Sequence, residues 1–182
     1  MKNKVKQIAM MAILIALSLI LSYVDSLIVL PFGIPGIKLG IANIAIIYTL
    51  YKIGAKEAIM VSILRLILSS ILFGTILTFL YSLVGAVFSL SLMIILKKYT
   101  SLALITISIS GAVLHNIGQI MVAVLVMATK EIILWLPVLI ITGILSGIGV
   151  GILSVLTIRY TKNIPVSYTH LRAHETLSAL VC

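Results

Sequence analysis

Apolar runs long enough to cross a bilayer follow one another through almost the whole of this chain, joined by links of only a few residues. A spanning helix needs about 20 predominantly apolar residues. Six segments approach that length: roughly Gln7 to Leu27, Leu39 to Ile53, Glu57 to Phe73, Ile76 to Leu96, Leu102 to Met127 and Ile132 to Ile158. The second is somewhat short. None alternates polar and apolar residues as membrane-barrel strands do. Charged residues make up 9% of the chain, where a soluble domain carries about 25%. No polar stretch reaches domain size. The pattern predicts an all-α, polytopic membrane protein with six transmembrane helices, forming one domain over residues 1–164.

The net charge of +9 suggests nucleic acid until its distribution is read. With the N-terminus placed in the cytoplasm, the cytoplasmic helix ends hold Lys2, Lys4, Lys6, Lys52, Lys56, Lys97, Lys98, Arg159 and Lys162. The outer ends hold Lys38 and Lys130, so the count is nine against two. Cytoplasmic loops of membrane proteins carry this excess. The expectation is six helices with both termini cytoplasmic, in a bacterial cytoplasmic membrane. The basic ends then serve topology and contact with anionic lipid heads, and no nucleic-acid partner is implied. The first segment lacks a small-x-small cleavage site and reads as a retained helix, not a signal peptide.

From Val166 the composition changes. The string Val166 to Thr176 is polar and resembles one reading frame of a transposon-end sequencing adapter, and Leu180-Val181-Cys182 resembles its continuation. Residues 165–182 are therefore expected to be non-native and are set aside. They carry the chain's single Cys and two of its three His. What remains offers no disulfide and no Cys-based metal or redox site.

Polar side chains deep in an apolar run are costly, and they usually mark a site, a pathway or a contact between helices. Within the fifth segment, Gly111 to Ile120 holds His115, Asn116 and Gln119. His115 and Gln119 are four apart and share a helix face, with Asn116 beside it. His115 can act as a pH switch or a hydrogen-bonding group. A metal site is not expected, because no second His or carboxylate pair stands at helical spacing. Arg65 is central in the third segment, and a mid-bilayer Arg costs at least about 2.5 kcal/mol. It either grips an anionic group through two parallel bonds or ties helices together through carbonyls, Asn43 or Gln119. Asp25, Glu57 and Glu131 lie near segment ends, so no protein carboxylate is expected at its depth, which favours a ligand anion. Asn43 follows Lys38 and the Pro31 to Gly40 stretch. This stretch is expected to form a lid, or alternatively a tight re-entry turn. The candidate substrate-binding set is Lys38, Asn43, Arg65, His115, Asn116 and Gln119.

Small residues mark close helix approach. Gly143, Gly147 and Gly151 stand four apart in the sixth segment and form a packing ridge. Ala9, Ala12 and Ala16 form a second small face, on the first segment. No GxxxxGK[ST] loop is present, so the chain is not expected to bind ATP itself. Asp25 is the only Asp. Metal-dependent prenyl transfer needs several carboxylates to hold Mg²⁺ on a diphosphate, so that chemistry is not expected of this chain alone. No hydrolase set is present, and neither a catalytic role nor a cofactor is expected.

At Lys38-Leu39-Gly40-Ile41-Ala42-Asn43, Arg65, Gly74-Thr75, Ser82 to Gly85, His115 to Gln119, Pro137 and Gly143, the chain resembles the bacterial Gx transporter family. That family is often labelled heptaprenyl diphosphate synthase component I. It is similar in turn to the substrate-binding S components of energy-coupling factor transporters. The resemblance implies a six-helix S-component-like bundle that binds a small, vitamin-like solute from outside, and Arg65 suggests that the solute is anionic. It also implies a transmembrane coupling protein that docks on Ala12 and Ala16 and connects to two ATPases. A second reading stays open, in which the chain is a membrane accessory of heptaprenyl diphosphate or quinone synthesis.

Overall fold

A computed structural model describes residues 2–27, 40–128 and 130–161. Lys38, the Pro31 to Gly36 segment and residues 165–182 lie outside the described residues. Among those described there are six α-helices and no strand: α1 (Lys2–Leu27), α2 (Asn43–Lys52), α3 (Ala55–Phe73), α4 (Ile76–Tyr99), α5 (Leu104–Met127) and α6 (Leu136–Tyr160). A 3₁₀ turn, Lys130–Trp135, leads into α6. Four of these are long and apolar enough to cross a membrane: α1 from Gln7, α4, α5, and α6 together with its 3₁₀ turn. The third helix has 19 residues, about 28 Å at 1.5 Å per residue, but carries Lys56, Glu57 and Arg65.

The second helix departs from the expected span over Leu39 to Ile53. It has ten residues, about 15 Å, or half a hydrocarbon core of about 30 Å. Its start is fixed by a turn in which Gly40 takes φ +81°, a left-handed conformation that glycine adopts without a Cβ penalty. The Asn43 N–H closes that turn on the Gly40 carbonyl at 2.9 Å. At the other end of α2, Lys97 of α4 donates its ammonium to the Leu50 carbonyl and sits 4.8 Å from the Tyr51 ring centre. A cation there complements the partial negative charge of a helix C-terminus.

These contacts order the ends of the bundle. The C-termini of α2 and α4 meet at Leu50 and Lys97. The N-terminal parts of α1 and α3 meet where Gln7 donates to Glu57 at 3.3 Å. The C-terminus of α6 lies at the same end, because α5 runs antiparallel to both α4 and α6. Lys52, Lys56, Lys97, Lys98 and Arg159 therefore gather at one end, called here the basic end. Gly40 and Asn43 line a small cavity with mid-helix residues Ser89 of α4 and Val150 of α6. So α2 fills the basic half of the interior, and its N-terminus stops at mid-depth.

The core divides accordingly. Around α2, in the basic half, Met11, Ile46, Ile47, Leu50, Ala58, Val61, Leu90, Met93, Ile107 and Val150 form one apolar cluster. Beyond α2, buried positions turn polar on several helices at once: Ser18, Ser22 and Asp25 on α1, Arg65 and Ser69 on α3, Ser82 and Ser89 on α4, and His115 and Gln119 on α5. A smaller apolar cluster of Tyr81, Val122, Ala123 and Ile132 lies near the far end.

Burying apolar groups gains little where the surroundings are hydrocarbon, so close packing and interhelical hydrogen bonds must hold the helices together. The α5–α6 seam shows both. Ser108 donates to the Gly147 carbonyl at 2.8 Å, and Asn116 donates to the Leu139 carbonyl at 2.7 Å. Between them Gly143 lies against Val113 and Ala112. Gly147 and Gly151 continue the seam against Ile109 and Ile105. The three ridge glycines thus face α5, and all are buried.

Candidate functional site

The polar layer is built on period. Ser18, Ser22 and Asp25 stand four and three apart, so one face of α1 carries all three. Arg65 and Ser69 do the same on α3, and His115 and Gln119 on α5. Serines spend their hydroxyls locally: Ser18 bonds the Ile15 carbonyl at 2.8 Å and Ser69 the Leu66 carbonyl at 3.2 Å. The chemistry rests with the longer side chains.

Arg65 is 7% exposed. Its Nη1 donates to Ser22 Oγ at 3.2 Å, and its guanidinium interacts electrostatically with Asp25. Its Nε–H has no hydrogen-bond partner among the described residues. Asp25 is 3% exposed and accepts the Gly40 N–H at 2.9 Å. The expectation that no protein carboxylate reaches Arg65 is therefore corrected. Asp25 is near the C-terminus of α1, one turn beyond the Ser22 hydroxyl that Arg65 binds across the seam between α1 and α3. The short α2 completes the arrangement, because its N-terminal turn offers Gly40 to the same carboxylate. Arg65 thus bonds α1 at Ser22, Asp25 three residues on bonds Gly40, and Asn43 follows at the start of α2, with its amide 3.0 Å from the point where a Gly40 Cβ would stand.

The second group lies on α5 against α4. His115 is buried with its ring against Gly85, where an added Cβ would meet ring atoms at 2.9–3.0 Å. Gly118 packs on the Gly85 backbone so closely that a Cβ there would stand 3.0 Å from the Gly85 Cα. The Ser82 to Gly85 string and the His115 to Gln119 string are thus two halves of one helix crossing, in which glycine makes room for an imidazole. Gln119, one turn further on, is 1% exposed. Tyr81 is also 1% exposed, and its hydroxyl has no hydrogen-bond partner among the described residues.

Asn116 belongs to neither group. Its amide donates to the Leu139 carbonyl of α6, which places it in the α5–α6 seam. Asn116→Ala is expected to lower thermal stability by the value of one interhelical bond, about 0.6–2 kcal/mol, and to leave solute affinity within about twofold. Parallel unfolding and binding measurements check this. Ala9, Ala12 and Ala16 lie exposed along α1, uncovered by any described helix. Lys38 lies outside the described residues.

The sequence reading named Asp25 and Gly85 without giving either a place at the site. Asp25 was legible as the end of the Ser18, Ser22, Asp25 stripe. Gly85 gave no local signal, because the ring that it accommodates is 30 residues away.

A family model described as heptaprenyl diphosphate synthase component I matches residues 14–157. No curated protein and no solved structure matches the chain.

Proposed function

The chain belongs to the heptaprenyl diphosphate synthase component I family, and from that premise we propose that it is the solute-binding subunit of a membrane transport system, taking a small anionic solute. The observation that carries this reading is the division of the interior. An apolar plug around α2 closes one half, and a polar layer with a buried guanidinium occupies the space beyond it. A helix bundle that served only as an anchor would gain nothing from burying Arg65, Asp25, His115 and Gln119, each expensive at membrane depth. The unused Nε–H of Arg65 supplies a donor for an anionic group, and apolar walls supply contact area.

The topology follows from the charges. With the basic end in the cytoplasm, both termini lie inside, and the polar layer lies toward the outer face of a bacterial cytoplasmic membrane. The short α2 then crosses only the inner half. Broken or half-length helices that end at mid-membrane recur at transporter substrate sites, where their N-termini face anionic groups. Because the chain carries no ATP-binding loop, energy comes from partner ATPases through a coupling protein seated on the exposed Ala9, Ala12 and Ala16 face of α1. The word component in the family description fits a system of several parts.

The test is native mass spectrometry of the protein from nanodiscs, with uptake assays alongside. A stoichiometric water-soluble anion is expected, and Arg65→Lys, which keeps the charge but loses the planar fork, is expected to cut its affinity at least about tenfold. Unchanged uptake with Arg65→Lys counts against the role of Arg65.

One observation favours a second reading. Between α3 and α4 lies an apolar groove of about 190 Å³, lined by residues that include Ile59, Leu66, Leu83 and Leu90. As an accessory of prenyl diphosphate synthesis, the chain would lay a prenyl chain there. This reading requires co-purification with a soluble prenyl synthase and a change in product length or rate, and the absence of both rejects it.

A further inference from the structure

The groove between α3 and α4 is lined by eight apolar side chains and two serines, Ser62 and Ser91. On α3 it runs from Ile59 to Leu66, and on α4 from Leu83 to Ile94. The stretch along α4 spans about 16 Å at 1.5 Å per residue, close to half of a hydrocarbon core of about 30 Å. Because α3 starts and α4 ends at the basic end, Ile59 and Ile94 lie at the mouth there, and Leu66 and Leu83 lie at mid-depth. The groove is thus one leaflet deep. Two exposed lysines flank its mouth. Lys56 is seven residues before Ile63, and Lys98 is four after Ile94 and seven after Ser91, so each stands on the groove-lining face of its own helix. Lys97 is engaged elsewhere, at the Leu50 carbonyl. Glu57, the one carboxylate of the basic end among the described residues, accepts from Gln7 on the α1 side of α3.

We propose that this groove holds one acyl chain of an anionic phospholipid from the leaflet at the basic end, with the headgroup phosphate between Lys56 and Lys98. The site is independent of what the polar layer binds and goes beyond the transport reading. Charge complementarity selects the occupant. An apolar slot at hydrocarbon depth takes a chain, and cations at headgroup level take its phosphate, as basic pockets between membrane helices do on the cytoplasmic side. Lysine suits the position, since its stem lies along apolar surface while its ammonium reaches the headgroups. Tyr99 is exposed beside Lys98, its ring centre 5.1 Å from the ammonium, and tyrosine is enriched at that level of a membrane. A partner helix is about 10–12 Å across with its side chains and does not enter a cavity of about 190 Å³. The lining includes Leu90, which also belongs to the apolar cluster around α2. A chain in the groove therefore packs on residues that hold the plug helix, and its binding stabilises the basic half of the bundle.

The test titrates the full chain in detergent with phosphatidylglycerol, which is anionic, and with phosphatidylcholine of the same chains, which has no net charge. Bound lipids are counted by native mass spectrometry. One phosphatidylglycerol is expected to bind at least about tenfold more tightly than phosphatidylcholine, since each of two lysines near the membrane surface contributes about fivefold. Lys56→Gln/Lys98→Gln is expected to abolish that preference. Lys52→Gln/Arg159→Gln removes the same charge from the same end and is expected to leave the preference within about twofold of the wild type. Val87 lines the groove and is 53% exposed, so Val87→Trp fills the groove from its open side and is expected to lose the tightly bound phosphatidylglycerol. Equal binding of the two lipids, an equal loss in both charge variants, or a Val87→Trp protein that binds as the wild type overturns the site. Farnesyl diphosphate that displaces the phospholipid and binds more tightly also overturns it, and gives the groove to the prenyl reading. Should Val87→Trp fail to fold, the two charge variants decide.

Discussion

Gly147→Leu is expected to separate α5 from α6, whereas Gly149→Leu, two residues further on, leaves the protein unchanged. An ideal Cβ on Gly147 would come within 2.6 Å of the Ile109 Cα and 3.2 Å of the Ala112 Cβ, while one on Gly149 would meet nothing within 4 Å. The obstacle at Gly147 is backbone and cannot rotate away, so the helices must part. Separation lengthens the 2.8 Å bond from Ser108 to the Gly147 carbonyl and loosens the Asn116 clasp two turns away. Overpacking of this kind costs about 3 kcal/mol, and the loss of one or two interhelical bonds adds to it. Gly149 sits on the outer face, where leucine meets only hydrocarbon and improves helix propensity. Thermal unfolding of both variants in the same detergent checks the pair. Equal midpoints would show that the seam does not depend on glycine.

Arg65→Met is expected to produce the largest loss among the polar substitutions, and Asp25→Asn in the same chain to reverse most of it. Removing the guanidinium takes from Asp25, which is 3% exposed, a buried cation with which it interacts electrostatically. Breaking a buried pair from one side costs about 3–5 kcal/mol, while replacing both charges is often close to neutral. Methionine fills much of the volume of the arginine stem, so the effect reports charge more than cavity. In the double variant the amide oxygen of the new side chain at position 25 still accepts the Gly40 N–H, and the α2 turn is kept. Chemical unfolding of the single and double variants closes a cycle in which the coupling between the two sites is read directly. A single variant that matches the wild type would show that Arg65 and Asp25 do not depend on each other. Solute binding separates from stability in the double variant, which is expected to fold and to bind no anion.

Both expectations depend on relations that a linear reading sees unevenly. The all-helical class, the positions of the helices other than α2 and the gathering of cations at one end were legible because hydropathy and charge are local sums over about 20 residues. The glycine ridge was legible because its four-residue spacing puts one helix face in register. The polar set was legible as a composition anomaly, since His115, Gln119 and Arg65 are rare at such depth. Their partners were not. Asn116 lies beside His115 in sequence, yet the 3.6-residue turn of α5 aims it at Leu139 of α6.

The sequence by itself determined that this chain forms apolar helices, which ends of them carry the cations, and which residues are too polar for their surroundings. The tertiary structure decided what those residues meet. Ser22 and Arg65 are 43 positions apart, and Asp25 and Gly40 are 15 apart. No periodicity within one helix joins such positions. The same contacts shortened the second helix: a left-handed glycine turn held by a carboxylate from α1 starts it at Asn43, where hydropathy alone would have carried it from Leu39. A helix boundary set by a partner on another helix is a property of the packed bundle, and so is the polar layer that this short helix leaves open.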